Sequence, residues 1–150
     1  DNAKGQIVLS GEMPTINYIV SNAKTLGIKK AIKLPVSAPF HSELISNAST
    51  LMEKEIDNYS FGAFTVPLYS NVTAKICNEA EIKNLLIEQI VSKVRWREII
   101  ENMVKDGVTN FIEIGPGNVL SNLVKRISKE AFTISISKLD DLNKLDNISL

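Results

Sequence analysis

The chain has 150 residues, 44% hydrophobic and 23% charged, which is enough for one folded domain or for a piece of a larger one. Seventeen Lys and Arg balance seventeen Asp and Glu, so the net charge draws the chain neither to nucleic acid nor to an anionic membrane. One cysteine, Cys77, excludes an internal disulfide, and with a single histidine beside it a His/Cys zinc centre within one chain is not expected.

In chain order, Gln6-Ile7-Val8-Leu9-Ser10 reads as a strand closed by Gly11. Met13, Ile16, Val20, Ala23 and Leu26 then recur at helical spacing, with Pro14 suited to a first turn and Gly27 to the C′ position. Residues 29–34 read as a second strand, and Pro35 and Pro39 break the next stretch into an irregular loop. A second helix is predicted over 42–56 on the stripe Leu44, Ile45, Ala48, Leu51 and Met52. Residues 57–77 are loop-rich, with one short strand around Val66-Pro67-Leu68-Tyr69.

Asn78 with Glu81 three residues on forms a capping-box pattern, so a third helix begins there, with Ile82, Leu85, Leu86 and Ile90 as its stripe. A fourth carries Trp96, Ile99, Ile100, Met103 and Val104 and stops at Gly107. Residues 110–114 read as a strand followed by Gly115-Pro116-Gly117, and a fifth helix comes next on Val119, Leu120, Leu123, Val124 and Ile127. Residues 133–137 alternate as a strand should, and the last dozen residues read as a short helix and a frayed tail. Strands separated by helices predict an α/β fold with a parallel sheet. Three or four strands make a thin sheet, as if part of it were contributed from elsewhere.

Several segments carry a resemblance. Leu34-Pro35-Val36-Ser37-Ala38-Pro39-Phe40-His41-Ser42 resembles the catalytic-histidine segment of the malonyl-CoA:acyl-carrier-protein transacylases, and is similar to the acyltransferase domains of fatty acid and polyketide synthases. The stretches 5–11, 67–72, 94–96 and 112–120 resemble further family segments in the same order, so the likeness runs from about Asn2 to Lys138. It implies the C-terminal part of that family's fold. Residues 1–34 would be a partial ferredoxin-like subdomain, residues 35–138 the C-terminal part of an α/β-hydrolase-like subdomain with a parallel sheet, and residues 139–150 a tail.

The activity implied is transfer of malonyl from coenzyme A to acyl carrier protein through an acyl-serine, for fatty acid synthesis. No metal or bound cofactor is implied. The partners are malonyl-CoA and acyl carrier protein, with no nucleic acid and no membrane. The family's nucleophile sits in a Gly-x-Ser-x-Gly elbow, and this chain contains no such pentapeptide. By itself it is therefore expected to be inactive, and poorly stable as half of a sheet. The start Asp1-Asn2-Ala3-Lys4, without a Met or a leader, is compatible with a chain cut from something longer, and equally with processing or cloning; the compartment expected from the single cysteine is a reducing, cytoplasmic one.

The resemblance gives His41 the role of general base. Imidazole suits the task because its ordinary titration lies near neutrality, so it can take a hydroxyl proton and return it. The bland reading is an ordinary loop histidine. Gln89 lies in an apolar stripe close to a helix end, where main-chain carbonyls lack partners. The resemblance makes its carbonyl the acceptor that orients His41, in place of a triad Asp; the bland reading is an amide reaching solvent. Phe40 is expected to favour malonyl by crowding out an α-methyl branch, an exclusion worth ~1–3 kcal/mol, and it can equally be a core aromatic.

Asn71 resembles a pocket-lining residue, a turn Asn being the alternative. Asn2 is counted with the substrate-binding residues, although Asn2-Ala3-Lys4 departs from the family's Asn-x-Pro. Gly115-Pro116-Gly117 lacks the third glycine of a dinucleotide fingerprint, Leu120 standing there, and reads as a tight turn. Lys93, Arg95, Arg97, Lys125, Arg126 and Lys129 form basic clusters that suit an acidic carrier protein or a merely solvated face. Two other functions compete: a Ser-His acyltransferase or hydrolase of different specificity, and a non-catalytic Rossmann-type binding module.

Overall fold

The computed structural model describes residues 1–147. It contains the helices α1 (Met13–Ser21), α2 (Ser46–Ile56), α3 (Glu79–Glu88), α4 (Trp96–Lys105) and α5 (Val119–Ile127). The strands are β1 (Leu68–Tyr69), β2 (Ile76–Cys77), β3 (Asn110–Ile114) and β4 (Phe132–Ile136), and 3₁₀ segments cover Glu43–Ile45 and Leu139–Asn147. The chain divides into two units, one of Asp1–Ile7, Thr73–Lys75 and the residues from Arg95 onward, the other of Val8–Val72 and Ile76–Val94. The fold is mixed α/β with a small parallel sheet.

In the first unit β3 and β4 pair in parallel, Asn110 opposite Phe132 through Ile114 opposite Ile136, and α5 packs on both strands and on α4. The core is made of Ile99 and Ile100 from α4, Leu123 and Val124 from α5, and Ile134 and Ile136 from β4. The apolar residues of α4 and α5 recur three and four apart, so one face of each helix leaves water together. After α4, Gly107 (φ 92°) donates its N–H to Val104 and Val108 donates to Met103, a Schellman closure that only a left-handed residue permits.

The start of α5 is capped from the strand. Asn118 makes no side-chain cap, and the Glu113 carboxylate accepts from the Leu120 (3.0 Å) and Ser121 (2.8 Å) N–H groups instead. Burial raises the Glu113 carboxyl, but the hydrogen bonds from Ser121, Leu120 and Ser135 outweigh it and leave it below the ordinary carboxylate range. The terminal 3₁₀ segment packs on β4. There Lys144, helped by the Ser137 and Lys138 N–H groups, holds the Asp141 carboxyl down to about 2.

In the second unit α3 has the predicted capping box: Asn78 Oδ1 accepts from Ala80 (3.0 Å) and Glu81 (3.1 Å), and Glu81 accepts from the Asn78 N–H at 3.0 Å. Helices α2 and α3 pack together, with Ile56 and Ile82 buried. Helix α1 is shorter than its apolar spacing suggests and turns down to Gly27 (φ 73°), where Ile28 donates to Ala23 and Gly27 to Lys24. Leu68–Tyr69 forms a small antiparallel hairpin with Ile76–Cys77, a partner inside the stretch read as loop.

Two predicted strands do not form. Residues 29–34 are irregular, and of 6–10 only Gln6 makes a single bridge, to Ala3. A strand is defined by a partner, and no described segment pairs with these residues, so Val8, Leu9, Ile32 and Leu34 stay exposed. Among the described residues the parallel sheet accordingly has two strands rather than three or four. Of the predicted tail, residues 148–150 lie outside the described residues.

Candidate active site

His41 ends the proline-stiffened loop and has φ 58°, in the left-handed region. Histidine enters that region more readily than β-branched or bulky residues. The turn is held by Ser42, whose hydroxyl donates to the Pro39 carbonyl at 2.6 Å. The extended Ser42 (φ −145°) then leads into the 3₁₀ turn Glu43–Ile45 and α2.

From that loop Nδ1 of His41 lies 2.9 Å from the main-chain carbonyl oxygen of Gln89. Gln89 is the C-cap residue of α3, and its carbonyl is one that the helix leaves without an internal partner. A carbonyl only accepts, so the contact requires the proton on Nδ1. In the neutral imidazole Nε2 is then unprotonated and available as a base. Helix α3 is tied to α2 at the same end by Ser49, whose hydroxyl donates to the Ile87 carbonyl at 3.2 Å.

The side chain of Gln89 is also engaged. Asn71, half-buried two residues beyond β1, donates from Nδ2 to Gln89 Oε1 at 3.1 Å. His41, Gln89 and Asn71 are thus brought together within one unit. Phe40 adjoins His41 in the chain and is half exposed. Asn2 belongs to the other unit, where its N–H donates to the Gln6 carbonyl.

Sequence reasoning passed over the Asn71–Gln89 link. Its only trace was an amide set in an apolar stripe, which demands a partner without naming one. The Glu113 cap was likewise missed, although a carboxylate two residues before a Gly-Pro-Gly turn is within reach of the helix it opens.

The basic residues do not all present free charge. Arg95 pairs with Glu98 and donates to the Thr73 carbonyl, Arg97 is bound by Asp1 and Glu101, and Arg126 donates to Gln6. At the Gly-Pro-Gly turn the Glu113 carboxylate already accepts from two of the N–H groups at the start of α5, those of Leu120 and Ser121, which argues against a phosphate there. Among the described residues no three His, Cys, Asp or Glu side chains converge as metal ligands, and no helix is long and apolar enough to cross a membrane.

No family model matches the chain. A malonyl CoA-acyl carrier protein transacylase of Bacillus subtilis (strain 168) is 45% identical over 137 residues, which are 91% of this chain and 43% of that protein. The crystal structure of MCAT from Streptococcus pneumoniae superposes with a TM-score of 0.84 at 37% identity, over 90% of this chain and 44% of that one. A structure of a type II PKS acyl-carrier protein in complex with its malonyl-transacylase matches with a TM-score of 0.85 at 32% identity, over 92% of this chain and 45% of that one. The chain spans about half the length of the curated relatives it matches. Over the residues it has, the chain is similar to the malonyl CoA-acyl carrier protein transacylases.

Proposed function

We propose that this chain is the C-terminal part of a cytoplasmic malonyl-CoA:acyl-carrier-protein transacylase, in which His41 is the general base for a serine carried by another stretch of polypeptide. The observation that carries the reading is the 2.9 Å contact from His41 Nδ1 to the Gln89 carbonyl, because it leaves Nε2 free to take a proton. Nε2 removes the serine proton as Oγ attacks the malonyl thioester, and the imidazolium returns that proton to the departing coenzyme A sulfur. In the second half Nε2 takes the proton of the carrier protein's thiol, the sulfur attacks the acyl-serine ester, and the serine oxygen is reprotonated. Gln89 does the orienting that an Asp does in a Ser-His-Asp triad.

Residues 1–34 belong in this reading to a ferredoxin-like subdomain and residues 35–138 to an α/β-hydrolase-like one. The exposed Val8, Leu9, Ile32 and Leu34, unpartnered among the described residues, are accounted for if their neighbouring strands come from the rest of the protein. No Gly-x-Ser-x-Gly is present, so the 150 residues alone should transfer nothing.

The test is malonyl transfer by the complete protein. His41→Gln should lower kcat by about 10³-fold or more, and retention of activity would end the proposal. Phe40→Ser should admit methylmalonyl-CoA, changing discrimination by ~1–3 kcal/mol. An unchanged donor profile would remove Phe40 from the specificity argument and leave a Ser-His acyltransferase or hydrolase of other specificity to be separated by malonyl, methylmalonyl and acetyl donors. The Rossmann-type alternative is disfavoured by the occupied amides at the start of α5.

A further inference from the structure

The contact that orients His41 is made by a backbone group, which cannot be chosen by side-chain identity, so its alignment must be set from elsewhere. The main chain supplies only part of that. Gln89 is a C-cap residue beyond the last regular turn of α3, and the peptide it shares with Ile90 is tied by a long Ile90 N–H to Ile87 carbonyl bond of 3.3 Å. Helix ends fray most readily at such a place. A second anchor comes through the side chain, where Gln89 Oε1 accepts from Asn71 Nδ2 at 3.1 Å. Asn71 is itself well placed to hold still. It comes directly after the buried Ser70, whose hydroxyl oxygen accepts from the Val72 N–H at 3.1 Å and so fixes the turn in which Asn71 sits.

We infer that Asn71 is a positioning residue: by clamping the Gln89 side chain it keeps the Gln89 carbonyl on His41 Nδ1, and thereby fixes the tautomer with a basic Nε2. The inference rests on the reading of His41 as the base. In a free neutral histidine the proton favours Nε2, the nitrogen that must be bare to act. Loosening the carbonyl therefore depletes the competent form of the base without altering the groups that meet substrate. The effect belongs in kcat, with KM little changed. A pocket-lining Asn71 would do the opposite.

The experiment is a double-mutant cycle in the complete protein with Asn71→Leu, Gln89→Leu and the pair, since Leu at 89 keeps the carbonyl and removes only the acceptor side chain. Each single variant should lower kcat about tenfold with KM for malonyl-CoA within about twofold, and the double variant should be no worse than either single. In ¹⁵N spectra the His41 imidazole, assigned by the signal that His41→Gln loses, should move away from the Nδ1–H form in both singles. Asn71→Asp should recover activity, because the Gln89 amide can rotate to donate to it. Asn71→Ser and Gln89→Met serve where a Leu variant melts early.

Additive losses, an unchanged kcat in Asn71→Leu, or a loss confined to KM would each overturn the inference. The control separates the two readings. If His41→Gln abolishes transfer while the cycle shows no coupling, only the role of Asn71 fails. If His41→Gln remains active, the base reading fails with it.

Discussion

The β3–α5–β4 region and the segment from Val8 to Val36 begin from similar sequence patterns and end differently. Both contain short apolar runs flanking an amphipathic helix. In the first, residues 110–114 and 132–136 pair in register over five positions, and α5 lies across them with Leu123 and Val124 buried. In the second, residues 29–34 stay irregular, and α1 buries none of its residues. The apolar pattern supplies a tendency; the pairing partner and the covering surface turn it into structure. Where those are missing among the described residues, the same tendency leaves exposed Val8, Leu9, Ile32 and Leu34.

That contrast can be broken by measurement. The largest effect should come from Ile100, which is 1% exposed in α4: Ile100→Ala should destabilise by about 2–5 kcal/mol in chemical denaturation. A loss below about 1 kcal/mol would mean that the first unit has no consolidated core. Next, amides of residues 110–114 in the 150-residue chain should exchange at least ~100-fold more slowly than those of 29–34, a gap of about 2.8 kcal/mol. Equal rates would erase the distinction between the regions.

Smaller again, Glu113→Gln should cost about 1 kcal/mol near pH 7, since it weakens the cap of α5. Its pH dependence has a definite sign. The Glu113 carboxyl is depressed in the folded chain, so its contribution is complete above the ordinary value of 4.5 and disappears as pH falls through the folded value. Asp141 behaves alike, reaching down to about 2. Acid titration followed by circular dichroism should therefore show a shallower acid limb in Glu113→Gln than in the parent, and an identical limb would remove the cap from the account. The smallest change is Leu51→Ala on α2, at a position 63% exposed, where less than about 0.5 kcal/mol is expected.

Much of the local structure was legible because its causes are local. Asn78 with Glu81 specifies a capping box by the reach of two side chains, and the structure shows both bonds. Gly27 and Gly107 end helical runs in left-handed closures that other residues resist. Strand β3 begins and ends where its alternation does. The strands at 6–10 and 29–34 were over-read, since β-propensity is silent on whether a neighbour exists. The Ile76–Cys77 strand was missed because two residues carry no period to detect.

At the site, the order of residue types along the chain was enough to single out His41, Gln89 and Asn71 by resemblance, while spacing alone could not have joined positions 48 and 18 residues apart. Their chemistry was set in the sequence: an imidazole that can hold one proton on either nitrogen, a helix-end carbonyl without a partner, an amide that must be satisfied. Which nitrogen keeps the proton was decided only in three dimensions. A hydrogen bond depends on distance and angle between groups, and those come from how the loop at Pro39, the end of α3 and the turn after β1 are folded against one another within their unit.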